Sequence, residues 1–211
     1  RRGESESNRT KAKKLSQQAL EKYQANQLSQ AIKLWEQALK IYLQLNDKKE
    51  TVTTLRNLIA VNRKVKDYEQ TITYLQQYLT LTREIKDKSG EISALTNLAK
   101  VYTKSGKLTQ TALSYEQALI LVREAGDKPQ EATVLGNLAI AYKTLGNYVK
   151  AIETNQKSLE IIRELGNLEN ESKVLKNLGN VYEALGDYDN AMASYDRSLI
   201  ITEKFNNADP T

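Results

Sequence analysis

The stretch Leu135-Gly136-Asn137-Leu138-Ala139-Ile140-Ala141-Tyr142-Lys143-Thr144-Leu145-Gly146 decides the fold, because its leading tetrad returns at a fixed interval. Leu-x-Asn-Leu stands at Leu55-Asn57-Leu58, Leu95-Asn97-Leu98, Leu135-Asn137-Leu138 and Leu175-Asn177-Leu178, each copy 40 residues after the last. A constant step of this size predicts a stack of similar units, each burying its apolar face against a neighbour rather than within itself. Leu39, Leu79, Leu119, Leu159 and Leu199 keep the same step, as do Tyr102, Tyr142 and Tyr182, and the turn residues Gly106, Gly146 and Gly186. Five repeats follow, at residues 11–48, 51–87, 91–127, 131–167 and 171–206, with residues 1–10 read as a disordered N-terminal segment and 207–211 as a tail.

Inside a repeat the apolar residues recur at three and four. Leu135, Leu138, Ala139, Tyr142 and Leu145 form one stripe, as an amphipathic helix requires. Gly146-Asn147 interrupts it with residues that tolerate a left-handed backbone. A second stripe, Tyr148, Ala151, Ile152, Leu159 and Ile162, then runs to Gly166-Asn167. Asp47, Asp87, Asp127 and Asn167 are placed to cap the helices that begin behind them. Asp47 with Glu50 and Asp127 with Gln130 have capping-box spacing, and Pro129 falls in a first turn, where its missing N–H costs little. The small residues Ala19, Ala99, Ala139 and Gly179 on first helices, and Ala31, Ala118, Ala151 and Ala191 on second ones, let helix backbones approach closely.

Composition narrows the chemistry. Of the 211 residues, 31 are basic and 26 acidic, giving a net charge of +5 with both signs interspersed, which supports no more than a mild preference for acidic partners. There is no cysteine, which removes disulfides, zinc-thiolate sites and thiol nucleophiles, and no histidine, which removes the usual base near neutral pH and the commonest metal ligand. No Gly-x-Ser-x-Gly, P-loop or Gly-x-Gly-x-x-Gly string occurs, and the carboxylates are scattered at helix-surface spacings. No catalytic residue, cofactor site or metal site is therefore assigned. No apolar run approaches the roughly 18 residues of a membrane span. Nucleic-acid binding rests on the basic balance alone, without a basic run, a helix-turn-helix or an aromatic stacking platform, and is not favoured.

A period of 40 residues by itself suggests HEAT or armadillo units. The internal order Leu138, Ala139, Tyr142, Gly146, Tyr148, Ala151 instead resembles the tetratricopeptide repeat, and the third to fifth repeats match best. The extra length resembles the long-repeat branch that includes the kinesin light chains. Strings such as Gly186-Asp187-Tyr188 and Ser158-Leu159-Glu160-Ile161 are similar to bacterial, notably cyanobacterial, arrays, some of which precede a caspase-like CHAT protease domain. The resemblance covers about residues 11–206 and implies an all-α, right-handed superhelical α-solenoid of five antiparallel helix pairs. Gln18 replaces the later leucines of the first repeat, as a water-facing cap would need, and Asn62 replaces the tyrosine of the second.

The resemblance also implies a function. First helices line a concave groove in that family, so Asn57, Asn97, Asn137 and Asn177 would point into it one repeat apart. An asparagine amide both donates and accepts, and so can hold a peptide backbone without reading its side chains. The alternative is that these amides bond between neighbouring helices and set the superhelical pitch. Flanking positions on the same face supply Arg56, Arg63, Lys100, Lys143 and Lys176, with Lys173 nearby and Glu183 as the exception. Such a groove favours an acidic or phosphorylated segment. The expectation is a non-enzymatic scaffold that binds an extended acidic peptide. A second reading is a sensor or oligomerisation arm of a larger regulatory protein, of the kind that carries a CHAT effector. That arm would act through its end faces, because Leu199, Ile200 and Ile201 leave an apolar C-terminal end that further chain or another subunit, including a second copy, would cover.

Overall fold

The computed structural model describes residues 2–208. Among these residues the chain forms ten α-helices and no strand: α1 (Arg2–Gln24), α2 (Leu28–Gln44), α3 (Lys48–Lys64), α4 (Tyr68–Glu84), α5 (Lys88–Lys104), α6 (Leu108–Ala125), α7 (Lys128–Thr144), α8 (Tyr148–Glu164), α9 (Leu168–Leu185) and α10 (Tyr188–Ala208). They fall into two compact units, Arg1–Ser105 and Gly106–Thr211. In the first, α1 packs on α2, α2 on α3, α3 on α4 and α4 on α5; in the second, α6 to α10 pack in the same consecutive way and α7 also reaches α9. Within each unit, connections of only two or three residues force neighbours to run antiparallel.

The caps explain where helices start. The Asp47 carboxylate accepts from the Glu50 N–H at 3.2 Å, Asp87 from Gly90 at 2.9 Å, Asp127 from Gln130 at 3.0 Å, and the Asn167 side chain accepts from Asn170 at 2.9 Å. Asp67 and Asn147 do the same for α4 and α8. Turns close on a residue in the left-handed region. At Gly106, Gly126, Gly146, Gly166 and Gly186 φ lies between 67° and 86°, whereas Asn26, Asn46, Lys66 and Lys86 take these places earlier in the chain. At one such turn Gly146 N–H donates to Lys143 O at 2.9 Å and Asn147 N–H to Tyr142 O at 2.8 Å, satisfying carbonyls the helix leaves open.

The leucines of the repeated tetrad form the centre of each unit, with Leu55, Leu58, Leu95, Leu135 and Leu175 all essentially inaccessible. In the first unit Trp35 and Tyr78 fill the space around them, and the Trp35 and Tyr23 rings meet at 5.8 Å. The expected small residues are all buried. Gly179 shows why size matters there, since a Cβ at that position would lie 2.6 Å from the Tyr195 ring. Asn62 is buried and satisfies its amide on the Leu58 carbonyl of its own helix at 2.8 Å.

Residues 2–10, expected to be disordered, instead form the start of α1. The segment contains no proline, Thr10 bonds back to Glu6 O, and Arg9 reaches Asp47 at 2.8 Å, while Ala12 just beyond packs on Ala38 and Tyr42. These contacts tether what composition alone leaves free. Residues 209–211 of the expected tail lie outside the described residues, and 207 and 208 still belong to α10.

One repeated contact has no counterpart in the expectations. Arg83 Nε lies 2.8 Å from Glu91 Oε1, Arg123 Nε 2.8 Å from Glu131 Oε1, and Arg163 Nε 2.7 Å from Glu171 Oε1. Each pair joins the end of a second helix to the first turn of the next helix, and each glutamate is buried. At the first junction Leu43 and Thr51 hold the equivalent places, so that clasp is missing there.

Candidate functional site

Asn57, Asn97, Asn137 and Asn177 occupy one position on α3, α5, α7 and α9, half-buried between the fully buried leucines of their tetrads. The Asn97 amide donates to Ser93 O at 2.9 Å, and its oxygen takes a long 3.5 Å contact from Arg63 Nη1. The other three side chains have no hydrogen-bond partner among the described residues, so their donors and acceptors are open to a ligand.

Two of them face one cavity. In the second unit a space of about 520 Å³ lies between α7 and α9, with Asn137, Asn177, Thr133 and Lys173 supplying polar groups and Ile140 and Val174 apolar wall. Gly136 widens it, because α7 carries no side chain there, and Ile162 of α8 and Leu165 just past its end also line it. Lys173 is already paired with Glu169 one turn earlier. It contributes a positioned ammonium rather than an unopposed charge.

Cations gather in the first unit. Arg63 and Lys64 of α3 meet Lys100 and Lys104 of α5 around a cavity of about 390 Å³, completed by Ala60, Tyr68 and Val101. No carboxylate lines it. Lys64 Nζ sits 5.0 Å from the centroid of the Tyr23 ring, a cation–π contact that holds the ammonium without neutralising it.

The structure thus brings Arg63 together with Lys100, and with Asn97 through the guanidinium, and separately joins Asn137, Asn177 and Lys173. Arg56, Lys143 and Lys176 line neither cavity. Arg56 turns instead toward α4, donating to the Tyr78 hydroxyl at 2.9 Å and lying 5.4 Å from that ring's centroid. Asn57 keeps a free amide but lies outside both spaces. Sequence reasoning missed Lys64 and Lys104, whose signal was available: they stand 40 residues apart and one place beyond the flanking position that yielded Arg63. Gly136 was missed because its contribution is an absent side chain.

Several tyrosines are held in the protonated form. Tyr74, Tyr115, Tyr142 and Tyr195 all titrate above the ordinary phenol value, with burial the largest cause and, for Tyr74, Tyr142 and Tyr195, a hydrogen bond to a carboxylate adding to it. Among the described residues no group of histidine, cysteine, aspartate or glutamate is arranged to hold a metal ion, and no helix is long and apolar enough to cross a membrane.

The helix pairs, their length and the repeated tetrad define a helical-repeat protein of the kind typical of protein-interaction scaffolds. The tetratricopeptide repeat family matches residues 50–119, 91–164 and 130–204, which together run through most of the chain, and the chain belongs to that family. The fold is similar to the nearly identical TPR-like repeats assigned to a kinesin light chain of Podospora anserina, at 17% identity and a TM-score of 0.72 over 93% of this chain and 97% of that one. MamA protein is similar at 18% identity and a TM-score of 0.70, over 95% of this chain and 97% of that one. A Rap protein complexed with Competence and Sporulation Factor is similar at 17% identity and a TM-score of 0.61, over 92% of this chain and 54% of that one. These likenesses establish the all-α repeat fold. No curated protein sequence matches the chain significantly.

Proposed function

We propose that the chain is a non-catalytic scaffold that holds an extended acidic peptide along its first helices, with asparagine amides on the peptide backbone and nearby cations on its side chains. The observation that carries this reading is the cavity between α7 and α9, where Asn137 and Asn177, one repeat apart and with no internal partner, face the same space. An amide pair so placed can donate to a carbonyl and accept from an N–H of one extended strand. The Rap protein solved with Competence and Sporulation Factor bound is a fold relative that engages a partner. Acidity of the peptide rests on Lys173 here and on the cation cavity of the first unit.

The test passes short degenerate peptide libraries, one rich in Asp and Glu and one in Lys and Arg, over the immobilised chain. Selective retention of the acidic library is expected, falling about tenfold or more when Asn137→Ala and Asn177→Ala are combined, as loss of two hydrogen bonds of about 1 kcal/mol each requires. Unchanged retention by a folded double variant rejects the asparagine role, and equal retention of the two libraries rejects the preference for acidic segments.

A specific observation also favours a role for the C-terminal end face. Met192, Leu199 and Ile200 of α10 are each more than 60% exposed, whereas Leu39, Leu119 and Leu159, the earlier equivalents of Leu199, are 6–8% exposed. Self-association would cover that face. Sedimentation of the chain and of Leu199→Glu decides it: a concentration-dependent dimer lost in the variant is the expected result, and a monomer at all concentrations rejects it.

A further inference from the structure

Repetition makes the cation cavity of the first unit conspicuous. The places held by Arg63 and Lys64 on α3, and by Lys100 and Lys104 on α5, are also held elsewhere in the chain by neutral residues that fold equally well into first helices, although Lys143 and Glu183 keep the place of Arg63 charged on α7 and α9. Thr103 and Thr144 are examples on α5 and α7, and Ile140 and Ala184 on α7 and α9. Packing therefore does not require cations there. Arg63 and Lys64 close the last turn of α3 and Lys104 that of α5, where a positive charge offsets the negative helix end, but Lys100 has no such role. Four like charges around one space repel one another, and no lining carboxylate relieves them.

We infer that this cavity is a binding site for a phosphate dianion, carried as a phosphorylated side chain on a protein segment. A carboxylate brings one charge and two acceptor oxygens, which one guanidinium or two ammonium groups already satisfy. Four cations match a group with close to two charges and three acceptor oxygens. Tyr68 completes the wall beside the cations. A protein segment is the occupant because Arg63 touches both the cavity and the side chain of Asn97, the ladder asparagine on α5 of the same unit. The inference rests on the peptide-scaffold reading for the carrier of the phosphate, while the anion site itself stands on the cavity alone.

The first arm of the test reads the site at its own side chains. Arg Nε–H signals and the methylene signals beside Lys Nζ are followed by NMR in the whole chain, titrated with O-phospho-L-serine and, separately, with acetate at constant ionic strength. Saturable shifts of Arg63, Lys100 and Lys104 with O-phospho-L-serine, at least about tenfold tighter than with acetate, are expected. The Arg63 shift disappears in the chain carrying Lys100→Gln with Lys104→Gln, two exposed positions whose replacement leaves the helical circular dichroism unchanged. Equal affinity for the two anions, or an Arg63 shift that survives the double substitution, overturns the proposal.

The second arm identifies the carrier. A degenerate peptide library centred on phosphoserine is compared with its serine twin, and retention of the phosphorylated library at least about tenfold above the twin is expected. Equal retention of both, lost in Asn137→Ala with Asn177→Ala, overturns the phosphate site and leaves the peptide groove standing. Tight O-phospho-L-serine binding without retention of either library overturns the protein segment as occupant together with the groove reading. A short single-stranded oligonucleotide that displaces the phosphorylated library also overturns the choice of a protein segment.

Discussion

Arg123 Nε lies 2.8 Å from Glu131 Oε1, joining the end of α6 to the first turn of α7 across a left-handed turn at Gly126. The glutamate is 5% exposed and also receives Lys128 at 3.0 Å. With the same geometry at Arg83–Glu91 and Arg163–Glu171, the contact marks three of the four boundaries between repeats.

This boundary is sensitive to acid. Burial works to raise the Glu131 pKa, but hydrogen bonds from Arg123 and Lys128, with their charges, outweigh it and hold the carboxyl below its ordinary value of 4.5. A carboxyl whose pKa is lower in the folded chain stabilises fully above the unfolded value, and loses that contribution as pH falls through the folded one. The urea midpoint is expected to drop as pH is taken from about 5 to about 3. Glu131→Gln, which cannot ionise, should be less stable at neutral pH and drop less over that window; an equal drop rejects the assignment. Arg123→Ala, which leaves a buried carboxylate with Lys128 alone, should cost about 1–3 kcal/mol.

Lys66 and Lys86 sit in the left-handed region, with φ of 61° and 58°, where later repeats place glycine. A residue with a Cβ is roughly 1–2 kcal/mol worse there, partly offset by the greater freedom of glycine in the unfolded chain. Lys66→Gly and Lys86→Gly should each raise the unfolding free energy by about 0.5–1 kcal/mol. Chemical denaturation measures it, and a loss of stability from either change contradicts the argument.

Gly136 lies inside α7, and the nearest atom to a Cβ built on it is Ser158 Oγ at 3.9 Å. Gly136→Ala should therefore stabilise by about 0.5–1 kcal/mol, the usual helix-interior difference. Gly136→Gln, with the same backbone benefit, should fill the cavity beside Asn137 and reduce retention of the acidic peptide library. A stable Gly136→Gln chain that binds as well as the parent removes this cavity from the binding surface.

Much of the fold was legible because a repeat states its rules several times. The caps at Asp47, Asp87, Asp127 and Asn167, the buried small residues and the tetrad leucines all stand where the 40-residue step placed them. The arginine–glutamate clasp was present as a recurring eight-residue spacing, but helix periodicity does not read across a turn, and the pair meets only once the chain has reversed. Cation placement was less legible. Arg56 and Arg63 are seven residues apart on one face, yet Arg56 is drawn to the Tyr78 hydroxyl while Arg63 leans toward Asn97. That choice depends on which neighbouring helix offers a partner, which the pattern of α3 alone does not contain. Asn155 gave no signal at all: it is buried with both amide atoms unpaired where Trp35, Leu75, Tyr115 and Tyr195 stand in the other repeats.

In every tetrad the leucines are inaccessible and the asparagine is half-open, while three residues past it stand Ala60, Lys100, Ile140 and Asn180, and six past it Arg63, Thr103, Lys143 and Glu183. The stack accepts apolar, polar and charged side chains at those outer places, although in the last repeat Asn180 and Glu183 take part in the packing by accepting from the Tyr195 hydroxyl. Under the proposed peptide-binding reading, recognition is rewritten one residue at a time on a backbone set by the buried leucines. For an engineer, the places outside that tyrosine contact are a keyboard set apart from the leucines that keep it rigid.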